Sequence, residues 1–237
     1  MVGLGDFASL TKEYVVVACM QEGPSYVAAF KKNSGELAWK QDRTFDVPKE
    51  NEQSYTTPIV NIRNDKEEII VLGADAITAH DSASGKEIWR WGTWNPNHKQ
   101  QWWRLVPSPV IGDGIALVCA PKKAPVFAIK TDFTGTKQGT DGLVWETSKE
   151  PILTSDVPTP LFYQKKFFIL SDLKKTLSRV DPKNGNIEWI LELPGKYKWR
   201  SSPTGGDGKI YMMNHNGEVL VVSANNGKII HLAKLGG

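Results

Sequence analysis

The sequence predicts an all-β chain built as a β-propeller of four-stranded antiparallel blades. Three observations predict it. A short phrase recurs about five times, each copy follows two strand-like apolar runs, and helical spacing of apolar residues appears nowhere. The clearest copy is Ala79-His80-Asp81-Ser82-Ala83-Ser84-Gly85-Lys86-Glu87-Ile88-Trp89. A second keeps Ala29, Gly35 and Trp39, with Lys31 in the place of the aspartate. A third keeps Asp181, Gly185 and Trp189, with Arg179 in the place of the alanine. An insertion stretches the copy that holds Ala128, Gly142 and Trp145, and the last copy keeps Gly227 but carries His231 in the tryptophan position.

Each repeat divides into four strands. The first opens on a hydroxyl residue and a proline: Thr57-Pro58, Ser108-Pro109, Thr159-Pro160 and Ser202-Pro203. Proline suits a strand's first position, where no ladder bond is yet asked of its missing N–H. The second strand is a continuous apolar run, such as Ile69-Ile70-Val71-Leu72 or Phe167-Phe168-Ile169-Leu170, which suits burial on both faces. The third alternates, as in Val126-Phe127-Ala128-Ile129. Asn184-Gly185 and Asn226-Gly227 then read as tight hairpins with both turn residues at positive φ. The fourth strand carries the closing tryptophan. The prolines set repeats of 51, 51 and 43 residues, and four antiparallel strands repeated radially describe a propeller. The blades fall at about 6–43, 55–93, 106–148, 158–194 and 201–235, within one domain spanning 1–237.

With 237 residues, 40% hydrophobic and 23% charged, the chain has material for a sizeable core. A net charge of +3 is mild, and Lys and Arg are scattered along the sequence, so electrostatics makes no case for nucleic acid. No apolar run approaches the roughly 20 residues of a membrane helix. Met1–Asp6 has neither the charged start nor the apolar stretch of a signal peptide. Cys19 and Cys119 lie in apolar strands of non-adjacent repeats and read as two separate buried thiols.

The phrase, followed by a Ser-Pro strand, resembles the quinoprotein-type propellers, the PQQ-like repeat family. Their signature is Ala-x-Asp-x-x-Thr-Gly-x-x-x-Trp, matched by Ala79, Asp81, Gly85 and Trp89 with Ser84 for the threonine. The resemblance covers essentially the whole chain and is similar to the non-catalytic barrel-assembly lipoprotein-like members. It implies that the tryptophans pack against the neighbouring blade, with Ala79 leaving room. Family propellers close with seven or eight blades, so five repeats imply part of a longer ring; a compact five-bladed ring is the alternative. The resemblance further implies a periplasmic or secreted protein, acting as a binding or protein-interaction scaffold without catalysis. The alternative is a fragment of a quinoprotein dehydrogenase or a carbohydrate-active enzyme. Those dehydrogenases carry an adjacent Cys-Cys pair and a calcium site of Glu, Asn and Asp. The sequence has no such pair and no assignable acidic cluster, so neither PQQ nor calcium is expected.

Function is sought in the connections between blades. One runs Trp91-Gly92-Thr93-Trp94-Asn95-Pro96-Asn97-His98 and on to Trp102-Trp103-Arg104. Another is Tyr197-Lys198-Trp199-Arg200, and Tyr55 precedes Thr57-Pro58. In a propeller these fall on one rim, where an aromatic beside an arginine can stack on and pair with a ligand. The expected binding residues are therefore Tyr55, Trp102, Trp103, Arg104, Tyr197, Trp199 and Arg200, facing a protein partner or a small polar ligand. No catalytic or metal-ligating set is expected. The four histidines (His80, His98, His215 and His231) lack ligand spacing, Glu67-Glu68 reads as solvated surface, and Gly135 and Gly139 lack P-loop spacing.

Overall fold

Each well-kept copy of the phrase forms the same turn between the third and fourth strands of a sheet. The glycine N–H donates to the carbonyl four residues back: Gly35 to Lys31 at 2.9 Å, Gly85 to Asp81 at 2.8 Å, Gly185 to Asp181 at 2.9 Å and Gly227 to Ser223 at 3.0 Å. These glycines have φ of +72°, +74°, +75° and +70°, a region that a Cβ makes costly. The expected two-residue hairpin is not what forms, because Asn184 and Asn226 are not left-handed. In the clearest copy the Asp81 carboxylate accepts the Ser84 N–H at 2.8 Å and holds the middle of the turn, so only its exit needs glycine.

The computed structural model describes residues 7–92, 95, 97 and 100–236. Of the residues singled out above, Met1–Asp6, Thr93, Trp94, Pro96 and His98 lie outside those described. The first sheet orders β1 (Phe7–Leu10), β2 (Tyr14–Cys19), β3 (Tyr26–Lys31) and β4 (Leu37–Asp42). The second orders β5 (Ile59–Arg63), β6 (Lys66–Gly73), β7 (Ala76–Asp81) and β8 (Glu87–Trp91). The third has β9 (Val110–Gly112), β10 (Ile115–Cys119), β11 (Val126–Lys130) and β13 (Leu143–Glu146), while β12 (Gly135–Lys137) leaves it and joins β8. The fourth holds β14 (Leu161–Tyr163), β15 (Lys166–Ser171), β16 (Thr176–Val180) and β17 (Ile187–Glu192). The fifth holds β18 (Thr204–Gly206), β19 (Lys209–Met213), β20 (Glu218–Ser223) and β21 (Ile229–Lys234). A four-residue 3-10 turn, Lys49–Glu52, is the one helical element among the described residues. The chain divides into two compact units: Met1–Pro109 with Lys130–Leu143, and Val110–Ile129 with Val144–Gly237.

The hydroxyl–proline steps are explained by hydrogen bonds between successive connections. The Thr57 N–H donates to Ser108 Oγ at 2.9 Å, and in the other unit the Thr159 N–H donates to Ser202 Oγ at 3.0 Å. The hydroxyl stitches one blade's entry to the next, where proline has no N–H to offer.

In the first unit, Trp39 is 8% exposed and its indole N–H donates to the Ser82 carbonyl at 2.9 Å. Its ring lies so close to the next phrase turn that a Cβ on Gly85 would meet it at 2.5 Å. Ala29 stands directly across from Trp39 and Ala79 from Trp89, so a small residue leaves each ring its space. Trp89 is covered differently. The insertion brings Phe133 to 4.9 Å between ring centroids, and β12 pairs in parallel with β8, Gly135 opposite Trp89.

The second unit repeats the contact twice. The Trp145 N–H donates to the Pro182 carbonyl at 2.7 Å, and a Cβ on Gly185 would meet its ring at 2.8 Å. Trp189 covers Gly227, where a Cβ would meet its ring at 2.8 Å, yet its indole N–H is buried with no hydrogen-bond partner. The cause is Arg179, which takes the alanine position across from Trp189. Its guanidinium donates to the Ala224 carbonyl at 3.2 Å and the Asn225 carbonyl at 2.7 Å. Ala224 corresponds to Ser82 and Pro182, so arginine has taken the acceptor that the indole uses elsewhere. His231, in the tryptophan position of the last copy, is exposed opposite Val221.

Cys19 and Cys119 are both buried and are not joined in a disulfide. Burial, with Asp172 nearby, pushes the Cys119 thiol pKa up, so it stays protonated. His80 is 2% exposed, with Nδ1 3.0 Å from the Gly85 carbonyl and Nε2 3.0 Å from Thr78 Oγ1. A carbonyl only accepts, so Nδ1 carries the proton and the Thr78 hydroxyl donates to Nε2. Burial, and then the Arg43 guanidinium, lowers the His80 pKa from 6.5 to about 4.

Two outcomes follow from this packing. Gly35→Ala, with the same φ but nothing within 4 Å of the added methyl, should cost about 1–2 kcal/mol in urea unfolding. Gly85→Ala should cost roughly 1–3 kcal/mol more, because the methyl meets the Trp39 ring; equal losses would refute the packing role. The depressed His80 pKa means the folded state binds fewer protons than the unfolded one between pH 6.5 and 4. Stability should therefore be full above about pH 6.5 and fall by roughly 3 kcal/mol towards pH 4. His80→Gln should flatten unfolding curves measured across that window.

Candidate functional site

Antiparallel order places the turn between a sheet's second and third strands at the same end as the exit of its fourth. In the first unit that end is organised from beneath by Arg43, 2% exposed. Its guanidinium donates to the carbonyls of Gly73 at 3.1 Å and Ala76 at 2.9 Å, and to Thr78 Oγ1 at 3.0 Å. Burial, followed by the charge on Arg90, lowers its pKa from the ordinary guanidinium range to about 9, which leaves it cationic at neutral pH. The carbonyls it holds flank Ala74 and Asp75, a two-residue turn with φ of +52° and +58°.

Asp75 is the next link. Its carboxylate accepts from Asn51 Nδ2 at 3.1 Å and Asn95 Nδ2 at 2.8 Å, and all three residues are buried. Both amides also donate to the Gln100 carbonyl, at 2.7 and 2.9 Å. Asn51 Oδ1 accepts the Trp103 N–H at 2.9 Å, and Asn95 Oδ1 the Gln100 N–H at 3.0 Å. The Tyr55 N–H then donates to the Leu105 carbonyl at 2.8 Å. Residues 100–105 are thus pinned along the 3-10 turn and Tyr55.

This brings four of the expected residues together. Trp102 is 56% exposed and Trp103 is half-buried. The Arg104 guanidinium lies 5.8 Å from the Tyr55 ring centroid and pairs with Glu50. Glu50 was not legible as part of the site, and it changes the chemistry: the arginine is already neutralised. What is offered outward is the exposed Trp102 indole, beside a half-buried Tyr55 and a linked donor–acceptor pair. That arrangement suits a partner surface carrying both hydrogen-bond donors and acceptors better than a bare anion.

The second unit treats its expected residues otherwise. Trp199 is 0% exposed, packed among Phe168, Leu170, Leu177, Ile210 and Met212, with its N–H donating to the Pro194 carbonyl at 3.0 Å. It presents no face to a ligand, because the bridge between Trp199 and Asn214 turns its side chain inward. Arg200 Nε donates at 3.0 Å to Asp172, which is 1% exposed. Tyr197, 37% exposed, is the aromatic left outward.

Asp172 repeats the role of Asp75. It accepts the Asp156 N–H at 3.1 Å from the connection before its blade and Arg200 from the connection after. In each unit a buried carboxylate on the inner turn clamps two connections. Sequence reasoning missed both, since an aspartate in a short turn ordinarily reads as solvated.

The two buried cysteines lie in separate sheets. Among the described residues no group of three or more His, Cys, Asp or Glu side chains is placed to hold a metal ion.

A family model described as outer membrane protein assembly factor BamB matches residues 73–236. No curated protein sequence matches the chain. Among solved structures, BamB from Moraxella catarrhalis superposes with a TM-score of 0.70 at 16% identity, over 97% of this chain and 63% of that one. Quinohemoprotein alcohol dehydrogenase from Comamonas testosteroni gives 0.71 at 14%, over 99% and 43%. A europium-containing methanol dehydrogenase gives 0.68 at 12%, over 98% and 51%. The chain spans less than two thirds of each, and these likenesses show the β-propeller fold.

Replacing Asp75 by Ala leaves the Asn51 and Asn95 amides short of an acceptor in a buried place. The expected loss is about 1–3 kcal/mol of stability, with faster proteolytic cutting between residues 92 and 105. An unchanged cleavage pattern would show that the clamp does not hold the loop.

Proposed function

The chain belongs to the PQQ-like repeat family described as outer membrane protein assembly factor BamB, and from that premise we propose that it is a non-catalytic binding propeller whose rim loops engage a partner protein. The observation that carries the reading is the cluster of Tyr55, Trp102, Arg104 and Glu50, anchored through Asn51 and Asn95 on the buried Asp75. An exposed tryptophan beside a linked ion pair has the composition of a protein-binding hot spot. The loops are fastened before any partner arrives, which lowers the ordering cost of binding. The proposal takes neither PQQ nor calcium as a cofactor. It places the protein in the periplasm or outside the cell, in keeping with the family description. No described helix is long and apolar enough to cross a membrane.

The dehydrogenase reading has the structural neighbours in its favour, but fold does not carry activity. Mixing the protein with PQQ and Ca²⁺ should leave the quinone absorbance unchanged; a shift with alcohol turnover would reverse the assignment. For the binding reading, immobilised protein is compared with a Trp102→Ala/Arg104→Ala variant in retaining envelope proteins, with circular dichroism confirming that both are folded. The variant should lose the retained partner, and identical retention by both would sink the proposal.

A further inference from the structure

Lysines that look scattered in the sequence are gathered by the second unit at the end where inner turns and connections meet. Lys122 and Lys123 form the β10–β11 turn, Lys174 and Lys175 the β15–β16 turn, and Lys196 and Lys198 lie on the connection from β17 to β18. Hydrogen bonds join the three segments. The Lys122 N–H donates to Asp156 Oδ1 at 2.9 Å, the Asp156 N–H to Asp172 Oδ1 at 3.1 Å, and Arg200 Nε to Asp172 Oδ2 at 3.0 Å. Lys175 Nζ donates to the Gly195 carbonyl, tying the second turn to the connection.

We propose that these three segments form a docking surface for an acidic polypeptide segment of a partner protein. Lysines outnumber the acids at this surface: Glu218, beside Gly195, has its carboxylate held by the Asn214 and Asn216 amides, and the exposed Glu192 stands opposite Thr176. Asp172 is buried and taken by Arg200, and Asp156 is occupied by a backbone N–H. Lys122, Lys123, Lys174, Lys196 and Lys198 are exposed. Lys122, Lys123 and Lys175 hold φ of +54°, +69° and +56°, where glycine or asparagine sits at less cost. Between Lys196 and Lys198 the exposed Tyr197 ring adds an apolar anchor, with Lys196 Nζ 5.3 Å from its centroid.

The chemistry favours a polypeptide over other polyanions. Nucleic-acid surfaces lean on arginine forks, and the one arginine here is already bound to a buried carboxylate. Membrane-surface binding adds apolar side chains that enter the lipid, and none of the three segments exposes a leucine, isoleucine or phenylalanine.

The inference rests on reading the chain as a binding module, and its test is separable from that reading. A fluorescein-labelled oligo-glutamate peptide is titrated with the whole protein at low salt and followed by anisotropy. Binding should weaken about tenfold or more in K123S/K174S/K198S, the loss expected for several charge contacts. K165S/K183S/K228S removes the same charge from turns at the opposite end of the fourth and fifth sheets and should bind as the parent does. The Trp102→Ala/Arg104→Ala variant alters the other unit and should also keep the peptide. Equal loss in both lysine variants, no peptide binding at all, or tighter binding to a labelled RNA or to phosphatidylglycerol vesicles would overturn the assignment. Retention of an envelope partner through Trp102 would survive any of these results.

Discussion

A tryptophan ring can lie flat on the next blade only where that blade offers backbone without a side chain. Gly85, Gly185 and Gly227 each meet a ring at a distance no Cβ tolerates, and each is also left-handed. Steric and conformational demands therefore fall on the same residue. A buried indole removes on the order of 150–250 Å² from water, several kcal/mol of gross stabilisation at each contact. The exceptions keep the burial and change the partner. Phe133 covers Trp89 from an insertion, and Arg179 takes the carbonyl that the Trp189 indole would otherwise reach. Burial survives in both cases, while the indole hydrogen bond is given up.

The turn-and-connection ends are governed by a second device, the buried carboxylate. Asp75 holds Asn51 and Asn95, and Asp172 holds Asp156 and Arg200. A connection lacks ladder bonds of its own, so its backbone polar groups need partners from elsewhere. One acidic side chain in a short turn supplies acceptors to the segments on both sides. Blades joined by irregular chain can thereby present a fixed surface without lengthening any strand.

The two units use that device for different surfaces. The first sets out an indole and a neutralised arginine, the second a set of lysines around one tyrosine. A fold shared by an outer membrane assembly factor and by alcohol dehydrogenases says little about which surface matters. Side chains on the connections, which the repeat does not constrain, have to carry that distinction.

The strands, the turn glycines and the covered tryptophans were legible because they depend on residues near one another in the chain and recur at a fixed period. A glycine four residues before a tryptophan carries its meaning locally. The surfaces were legible only in part. Tyr55, Trp102, Trp103 and Arg104 do assemble, but Glu50, Arg43 and Asp75 gave no signal, since each acts on partners twenty or more residues away. Trp199 and Trp102 look alike as loop tryptophans, yet one is enclosed and the other is 56% exposed. The sequence by itself determined the repeat and its packing units, because period and turn chemistry are local properties. Only the tertiary structure decided which aromatics face outward, which acids are buried and where the lysines meet, because those follow from which distant segments the sheets bring to the same end.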